Sequence, residues 1–170
     1  MADPVTTLVY QAKATFQEVL AAASVPGAAS AAARTLLQSN FDTAQKTLTS
    51  ATTPPVTCGA LFKQALSNGA ATIDLTALVG ANTKTVDGTG LRVQVLRVRN
   101  PATNANPISI AKGASNGYDG LGANFKLTLQ PGAEALVFAN DAGSDIGSTN
   151  CTLDLAGTGA QVLEVEIIMG

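Results

Sequence analysis

Turn-forming residues recur through the C-terminal two thirds of the chain and divide it into short apolar segments. Gly, Asn, Asp and Pro supply the positive or fixed φ that tight turns require. The turn sequences are Asp87-Gly88-Thr89-Gly90, Asn100-Pro101, Asn106-Pro107, Asn116-Gly117, Pro131-Gly132 and Gly157-Thr158-Gly159. No helical crossover pattern lies between the segments, which disfavours a parallel α/β sheet. The pattern predicts a mainly β chain with an antiparallel β-sandwich or jelly-roll-like domain.

The segments between these turns are the predicted strands, and they place the sandwich in residues 54–170. Their apolar and β-branched residues fit a pleated, half-buried surface. The predicted strands are Ala71–Leu75, Leu91–Arg99, Ile108–Ala111, Phe125–Leu129, Ala135–Ala139, Cys151–Leu155 and Gln161–Met169.

Residues 1–53 are interpreted as an N-terminal arm or appendage whose secondary structure the sequence leaves open. Between Val5 and Leu20 the apolar residues fit both the spacing of a helix and the alternation of a strand. The stretch from Ala28 to Leu37 is rich in alanine and has good helix propensity.

Composition limits the classes of function. Charged residues make up only 13% of the 170 residues, about half the usual share, which indicates a surface largely covered by partners. The net charge of -2 and the absence of a Lys/Arg run argue against nucleic-acid binding. No apolar stretch reaches membrane-spanning length. Because no signal-peptide pattern is present, cytoplasmic synthesis is expected, with Cys58 and Cys151 as free buried thiols.

The sequence offers little for catalysis. It contains no histidine, the residue best suited to move protons near neutral pH. Gly113-Ala114-Ser115-Asn116-Gly117 fits a nucleophile-elbow pattern, but no helix-forming segment follows and no histidine can activate Ser115, so a turn is predicted. The loop with Asp141 and Asp145 lacks calcium-loop spacing and is interpreted as a polar hairpin loop. No catalytic residue, metal or cofactor is expected.

Two predicted strands carry charges of opposite sign at period two. Arg97 and Arg99 share one face of their strand, and Glu164 and Glu166 share one face of the other. If the strands are neighbours, cross-strand Arg–Glu pairs form, each worth roughly 0.2 to 1 kcal/mol. The faces are otherwise either solvated separately or in contact with another subunit.

From Ala71 to the C-terminus, the chain resembles small β-sandwich virion proteins of tailed bacteriophages. The resembling segments are Ile73-Asp74-Leu75-Thr76, Gly90-Leu91-Arg92-Val93-Gln94, Val98-Arg99-Asn100-Pro101, Ile108-Ser109-Ile110-Ala111-Lys112-Gly113, Asn116-Gly117-Tyr118 and Leu129-Gln130-Pro131-Gly132. The resemblance implies a non-enzymatic capsid decoration (cement) protein, found in the virion after synthesis in the host cytoplasm. The alternative is a tail or fibre component with a receptor- or carbohydrate-binding β-module.

The resemblance also implies partners, and the sequence itself offers candidate contact residues. The expected partners are the major capsid protein and copies of the chain itself, with a trimer as the favoured homo-oligomer and with neither nucleic acid nor membrane involved. In the arm, Leu8, Tyr10 and Phe16 are candidate interface residues. The same role is assigned to Arg97, Arg99, Glu164 and Glu166, and to Tyr118, which is the best candidate for the fibre alternative.

Overall fold

A computed structural model describes residues 8–10, 15–20, 34–39, 46–80, 83–138 and 143–170. All regular elements among these residues are β-strands, and no α-helix occurs in them. The strands are β1 (Leu8–Tyr10), β2 (Thr15–Leu20), β3 (Arg34–Ser39), β4 (Lys46–Leu48), β5 (Cys58–Ala65), β6 (Ala70–Asp74), β7 (Leu78–Val79), β8 (Thr85–Val86), β9 (Val93–Arg99), β10 (Ile108–Lys112), β11 (Lys126–Leu129), β12 (Glu134–Phe138), β13 (Thr152–Ala156) and β14 (Val162–Met169).

The chain divides into two compact units. The larger contains Leu48–Gly170 and the start of the chain, and the smaller is Val9–Thr47. In the smaller unit, β2 and β3 form an antiparallel pair in which Thr15 lies opposite Ser39 and Leu20 opposite Arg34. The boundary at Leu48 lies earlier in the chain than the division after residue 53 that the sequence predicts.

The larger unit is an antiparallel β-sandwich of two four-stranded sheets. One sheet, here called the β14 sheet, has the order β12-β9-β14-β5, and the other has the order β11-β10-β13-β6. Among these eight strands, β5 pairs with β14, β6 with β13, β9 with β12, and β10 with β11. This nested pairing is the connectivity of a jelly roll. The predicted fold class is therefore confirmed.

One hydrophobic cluster lies between the sheets. The β14 sheet contributes Leu96, Leu163 and Ile167, and the opposite sheet contributes Ile110 and Leu153, all at most 1% exposed. Alternation along each strand sends every second side chain into this cluster and the intervening ones to the other face. Burial of aliphatic side chains, each worth roughly 1.5 to 3 kcal/mol, is the main stabilising contribution.

All seven strands predicted for the sandwich are present within about two residues of their predicted ends, which is the usual uncertainty of boundaries. The helix propensity of Ala28–Leu37 misleads, because Arg34–Leu37 belong to β3, where pairing with β2 satisfies the backbone. The rest of that segment lies outside the described residues. Both cysteines are free and buried, as expected.

Candidate interaction surface

The central strands of the β14 sheet present charged side chains on the face that points away from the core. Leu96 and Val98 of β9 face the core, so Arg97 and Arg99 point outward. On β14, buried Val165 separates the outward-facing Glu164 and Glu166 in the same way. We call this side of the β14 sheet the outer face.

The strand register arranges the outer face in two rows that cross all four strands. The charged row runs in the strand order β12-β9-β14-β5 through Glu134, Arg99, Glu164 and Lys63. The mixed row, two residues along each strand, runs in the same order through Leu136, Arg97, Glu166 and Leu61. Directly opposed residues in a sheet are close enough for side-chain contact.

Ion pairs connect the strands within and between the rows. Arg97 Nη1 lies 3.4 Å from Glu166 Oε2, and Arg99 Nη1 lies 3.4 Å from Glu164 Oε2. Lys63 Nζ adds a contact of 3.5 Å to Glu164 Oε1. β9 and β14 are therefore neighbours, and the cross-strand Arg–Glu ladder that the sequence permits is formed.

The shortest ion pair of the outer face joins the two rows. Arg97 Nε donates a hydrogen bond to Glu134 Oε1 at 2.7 Å. This bond lowers the pKa of the Glu134 carboxyl and raises the pKa of the Arg97 guanidinium. Both groups are solvent-exposed, and exposed ion pairs contribute little to stability. The ladder therefore orders the charges of this face rather than holding the fold together.

Two large apolar side chains flank the ladder in the mixed row. Leu61 is 57% exposed and Leu136 is 37% exposed. Next to Leu61 lies an open groove of about 350 Å³, lined in part by Arg97 and Glu166. Beyond the mixed row, Val95 and Ile168 are buried, so the exposed part of the central strands ends there. A contact on this face would withdraw both leucines from water.

Tyr118 does not contribute to any surface, and its assignment to an interface is wrong. Its side chain is fully buried, and its hydroxyl accepts a hydrogen bond from the Val93 backbone N–H at 3.0 Å. The ring fills the core next to Gly120, whose missing Cβ leaves room for it. Burial raises the pKa of the Tyr118 phenol. The strongest candidate for a sugar-binding platform is thus a core residue.

The arm residues named from the sequence lie in strands of the N-terminal region. Leu8 and Tyr10 belong to β1 and Phe16 to β2, and their side chains lie outside the described part of the structure. Their role at an interface stays a prediction.

Within the described residues, the motifs with catalytic or metal-binding appearance have structural roles. The segment Gly113–Gly117 is a turn, in which Ala114 N–H donates to Asp154 Oδ2 at 2.8 Å and Thr152 Oγ1 donates to the Ser115 carbonyl. Asp145 pairs with Arg92 at 2.6 Å, whereas Asp141 is outside those residues. No group of three or more His, Cys, Asp or Glu side chains in this part of the chain is arranged to hold a metal ion.

Comparisons with family models, with curated proteins and with solved structures found no match to this chain. In the ranges that the structure describes, there is no helix with the length and apolar character needed to cross a membrane.

The sequence did not reveal Lys63, Glu134, Leu61 and Leu136 as members of the surface. These residues lie on β5 and β12, the two edge strands of the β14 sheet. Period-two alternation on β12 was a usable signal for Glu134 and Leu136. Only the register, however, places all four beside the ladder.

Proposed function

We propose that the chain is a non-enzymatic structural protein that acts through surface contacts, as a capsid decoration protein of a tailed bacteriophage. The observation that carries the proposal is the outer face, where exposed Leu61 and Leu136 flank an ordered set of paired charges. The virion context is supported by the resemblance of residues 71–170 to phage β-sandwich proteins. Jelly-roll domains also occur in lectins and cupins, so the fold alone does not select this function.

The proposed mechanism is mechanical. Many copies bind across joints between capsid subunits, and each buries surface that must be exposed again before the subunits separate. A standard specific interface buries about 1,600 Å² in total. Repetition over the shell makes individually weak contacts persistent, because release requires many contacts to open together.

No described feature favours the alternative of a receptor-binding fibre module. Aromatic side chains commonly form sugar-binding platforms, but the chain has no tryptophan and Tyr118 is fully buried. The fibre alternative therefore rests on the sequence resemblance alone.

Copy number in purified virions tests the proposal. Quantitative mass spectrometry, with the major capsid protein as internal standard, should find hundreds of copies per particle. A handful of copies would place the chain in the tail instead, and absence from the particle would refute a virion role.

A second test is the heat resistance of particles. Capsids assembled without the chain should release their DNA at a lower temperature, and adding the purified chain back should restore the original temperature. Equal release temperatures with and without the chain would contradict a stabilising role.

A further inference from the structure

The two rows of the outer face have an internal antisymmetry. From β12 to β5 the charged row reads negative, positive, negative, positive, through Glu134, Arg99, Glu164 and Lys63. Reading the row backward inverts the sign at every position. The mixed row has the same property, with Leu136 and Leu61 at its ends and the Arg97–Glu166 pair in the middle. The face is thus complementary to itself after one specific rotation.

We propose that the outer face binds the same face of a second copy of this chain about a two-fold axis. The axis lies in the interface, parallel to the strands and midway between β9 and β14. This rotation places β9 opposite β14 of the second copy and β12 opposite its β5, with the rows in register. Because the contact uses the same patch on both copies, it closes as a dimer.

Every position in the rows then meets a complementary one. In the charged row, Glu134 faces Lys63 of the second copy and Arg99 faces its Glu164. In the mixed row, Arg97 faces Glu166 of the second copy, and each Leu61 faces a Leu136. Packed sheets keep their strands within about 30° of each other, so the central strands retain these partners despite the sheet twist.

The charge pattern excludes the other two-fold axis in the plane of the face. An axis parallel to the rows and between them would place Arg99 opposite Arg97 of the second copy and Glu164 opposite its Glu166. Like charges brought together at an interface are strongly unfavourable. The arrangement of charges therefore selects the axis parallel to the strands.

Apolar contact supplies the favourable free energy of association. Leu61 and Leu136 would be withdrawn from water at both ends of the mixed row, and the groove of about 350 Å³ beside Leu61 gives room to the facing Leu136 of the second copy. Four strands span only about 19 Å at the usual strand spacing. The contact is therefore at the small end of specific interfaces, and we expect a weak, concentration-dependent dimer.

The inference rests on the proposed function only in taking the outer face as a contact surface. Sedimentation equilibrium of the full chain, over about 1 to 500 µM, should show a monomer–dimer equilibrium in the range of weak interfaces. A monomer at every concentration, or an odd-numbered oligomer such as a trimer, would overturn the dimer without touching the decoration role. Absence of the chain from virions would contradict the decoration role and would leave the proposed dimer unaffected.

A charge-inverted variant tests the facing pairs directly. It carries Lys63→Glu, Arg97→Glu, Arg99→Glu, Glu134→Arg, Glu164→Arg and Glu166→Arg, so each ion pair within the chain is kept with its sign reversed. The variant and the unmodified chain should each form homodimers. In an equal mixture, however, every charged position of a mixed dimer meets a like charge.

Native mass spectrometry of that mixture gives the decisive number. Mixed dimers should fall below about one tenth of all dimers, because like-charge contacts oppose them. The control is a mixture of unmodified chain with its isotope-labelled form, which should reach one half. A mixed fraction near one half for the variant would overturn the proposed geometry.

A pair of single variants covers the case in which the six-fold variant does not fold. Leu61→Asp should weaken the dimer at least tenfold, equivalent to 1.4 kcal/mol, because the carboxylate would face Leu136 of the second copy. Val79→Asp is the matched control, since Val79 is 54% exposed but lies outside both rows. Equal dissociation constants for the two variants would contradict the proposal.

Discussion

Asn100 has a fully buried side-chain amide that connects the loop between β9 and β10 to the end of β11. Its Nδ2 donates to the Leu129 carbonyl at 2.9 Å and to the Asn106 carbonyl at 3.2 Å. Its Oδ1 accepts from Asn104 Nδ2 at 2.6 Å. The side chain therefore has its polar groups hydrogen-bonded inside the fold, as buried amides require.

Replacing Asn100 with alanine should lower the free energy of unfolding by about 2 to 3 kcal/mol, because buried polar groups lose their partners. Urea denaturation followed by circular dichroism measures this loss. Asn106→Ala is the control, since the Asn106 side chain is exposed and only its main-chain carbonyl accepts the bond. Similar losses for both variants would contradict this role of Asn100.

Three buried side chains that lose a proton at high pH should make the folded state less stable in alkali. Burial raises the pKa of Tyr118 above 10.0, and those of Cys58 and Cys151 above 9.0. The unfolded chain releases these protons at the ordinary values, whereas the folded chain retains them to higher pH. The free energy of unfolding should therefore be constant below about pH 9 with respect to these groups and decrease above it.

The Tyr118→Phe variant distinguishes the contribution of the phenol to this pH dependence from that of the two thiols. Between pH 10 and 11 this variant should lose stability less steeply with pH than the unmodified chain, although it starts lower because the Val93 N–H loses its acceptor. Urea titrations at fixed pH steps, under reducing conditions, provide both slopes. Identical slopes would show that Tyr118 does not titrate differently in the folded state.

At the scale of elements, β14 is one of the two central strands of the β14 sheet. It pairs with β5 on one side and β9 on the other. Its inward residue Leu163 is 0% exposed, whereas Leu61 on the adjacent β5 is 57% exposed. The same residue type thus occupies opposite environments on neighbouring strands.

Leu163→Ala should cost about 2 to 5 kcal/mol of unfolding free energy, because it leaves a cavity in the core. Leu61→Ala should change it by less than about 0.5 kcal/mol in the monomer, because no cavity forms. Urea denaturation at low protein concentration makes the comparison free of association. Comparable losses would mean that Leu61 is covered within its own chain.

The sequence predicts those strands whose conformation follows from the local pattern of residues. β9 and β14 were recognisable because long β-branched and aliphatic segments follow Gly-rich turns. β5 was missed, since the segment Cys58-Gly59-Ala60-Leu61-Phe62-Lys63-Gln64-Ala65 contains Gly, Ala and Lys, which are depleted in strands. Its strand conformation comes from pairing with β14, which is far away in sequence.

The candidate surface was only half predictable for the same reason. Period-two spacing gave the faces of Arg97 and Arg99 and of Glu164 and Glu166, but not the adjacency of their strands. Residue-to-residue register is set by the tertiary fold, and a shift of one residue would move all of these side chains to the other face. Tyr118 was wrongly assigned to the surface because its polar, Gly-rich neighbours suggest an exposed loop, whereas its ring is buried in the core.

At the scale of the whole molecule, the described core residues identify the part of the chain that forms the sandwich. Among the residues that the structure describes, the members of the main hydrophobic cluster lie between Cys58 and Met169. Leu48 and Val56 are also buried, and Val56 N–H donates to the Thr49 carbonyl at 3.1 Å. The segment from Leu48 onward therefore belongs to the stable sandwich unit.

Two deletions locate the boundary. Removing residues 1–47 should leave a cooperatively unfolding sandwich, whereas removing residues 1–53 should cost about 1.5 to 3 kcal/mol more, because the buried Leu48 is lost. Thermal and urea unfolding of the two shortened chains measure the difference. Equal stability would place the boundary at residue 53, and failure of both to fold would show that the sandwich depends on the smaller unit.

The nested strand pairing has a consequence for synthesis on the ribosome. Of the strands that the structure describes, β14 is translated last, although it is one of the two central strands of its sheet, and its neighbours β5 and β9 are made much earlier. Until Met169 has left the exit tunnel, β5 and β9 expose unpaired edges that invite association between nascent chains. A messenger truncated before residue 162 would therefore yield an aggregation-prone fragment and not a smaller version of the domain.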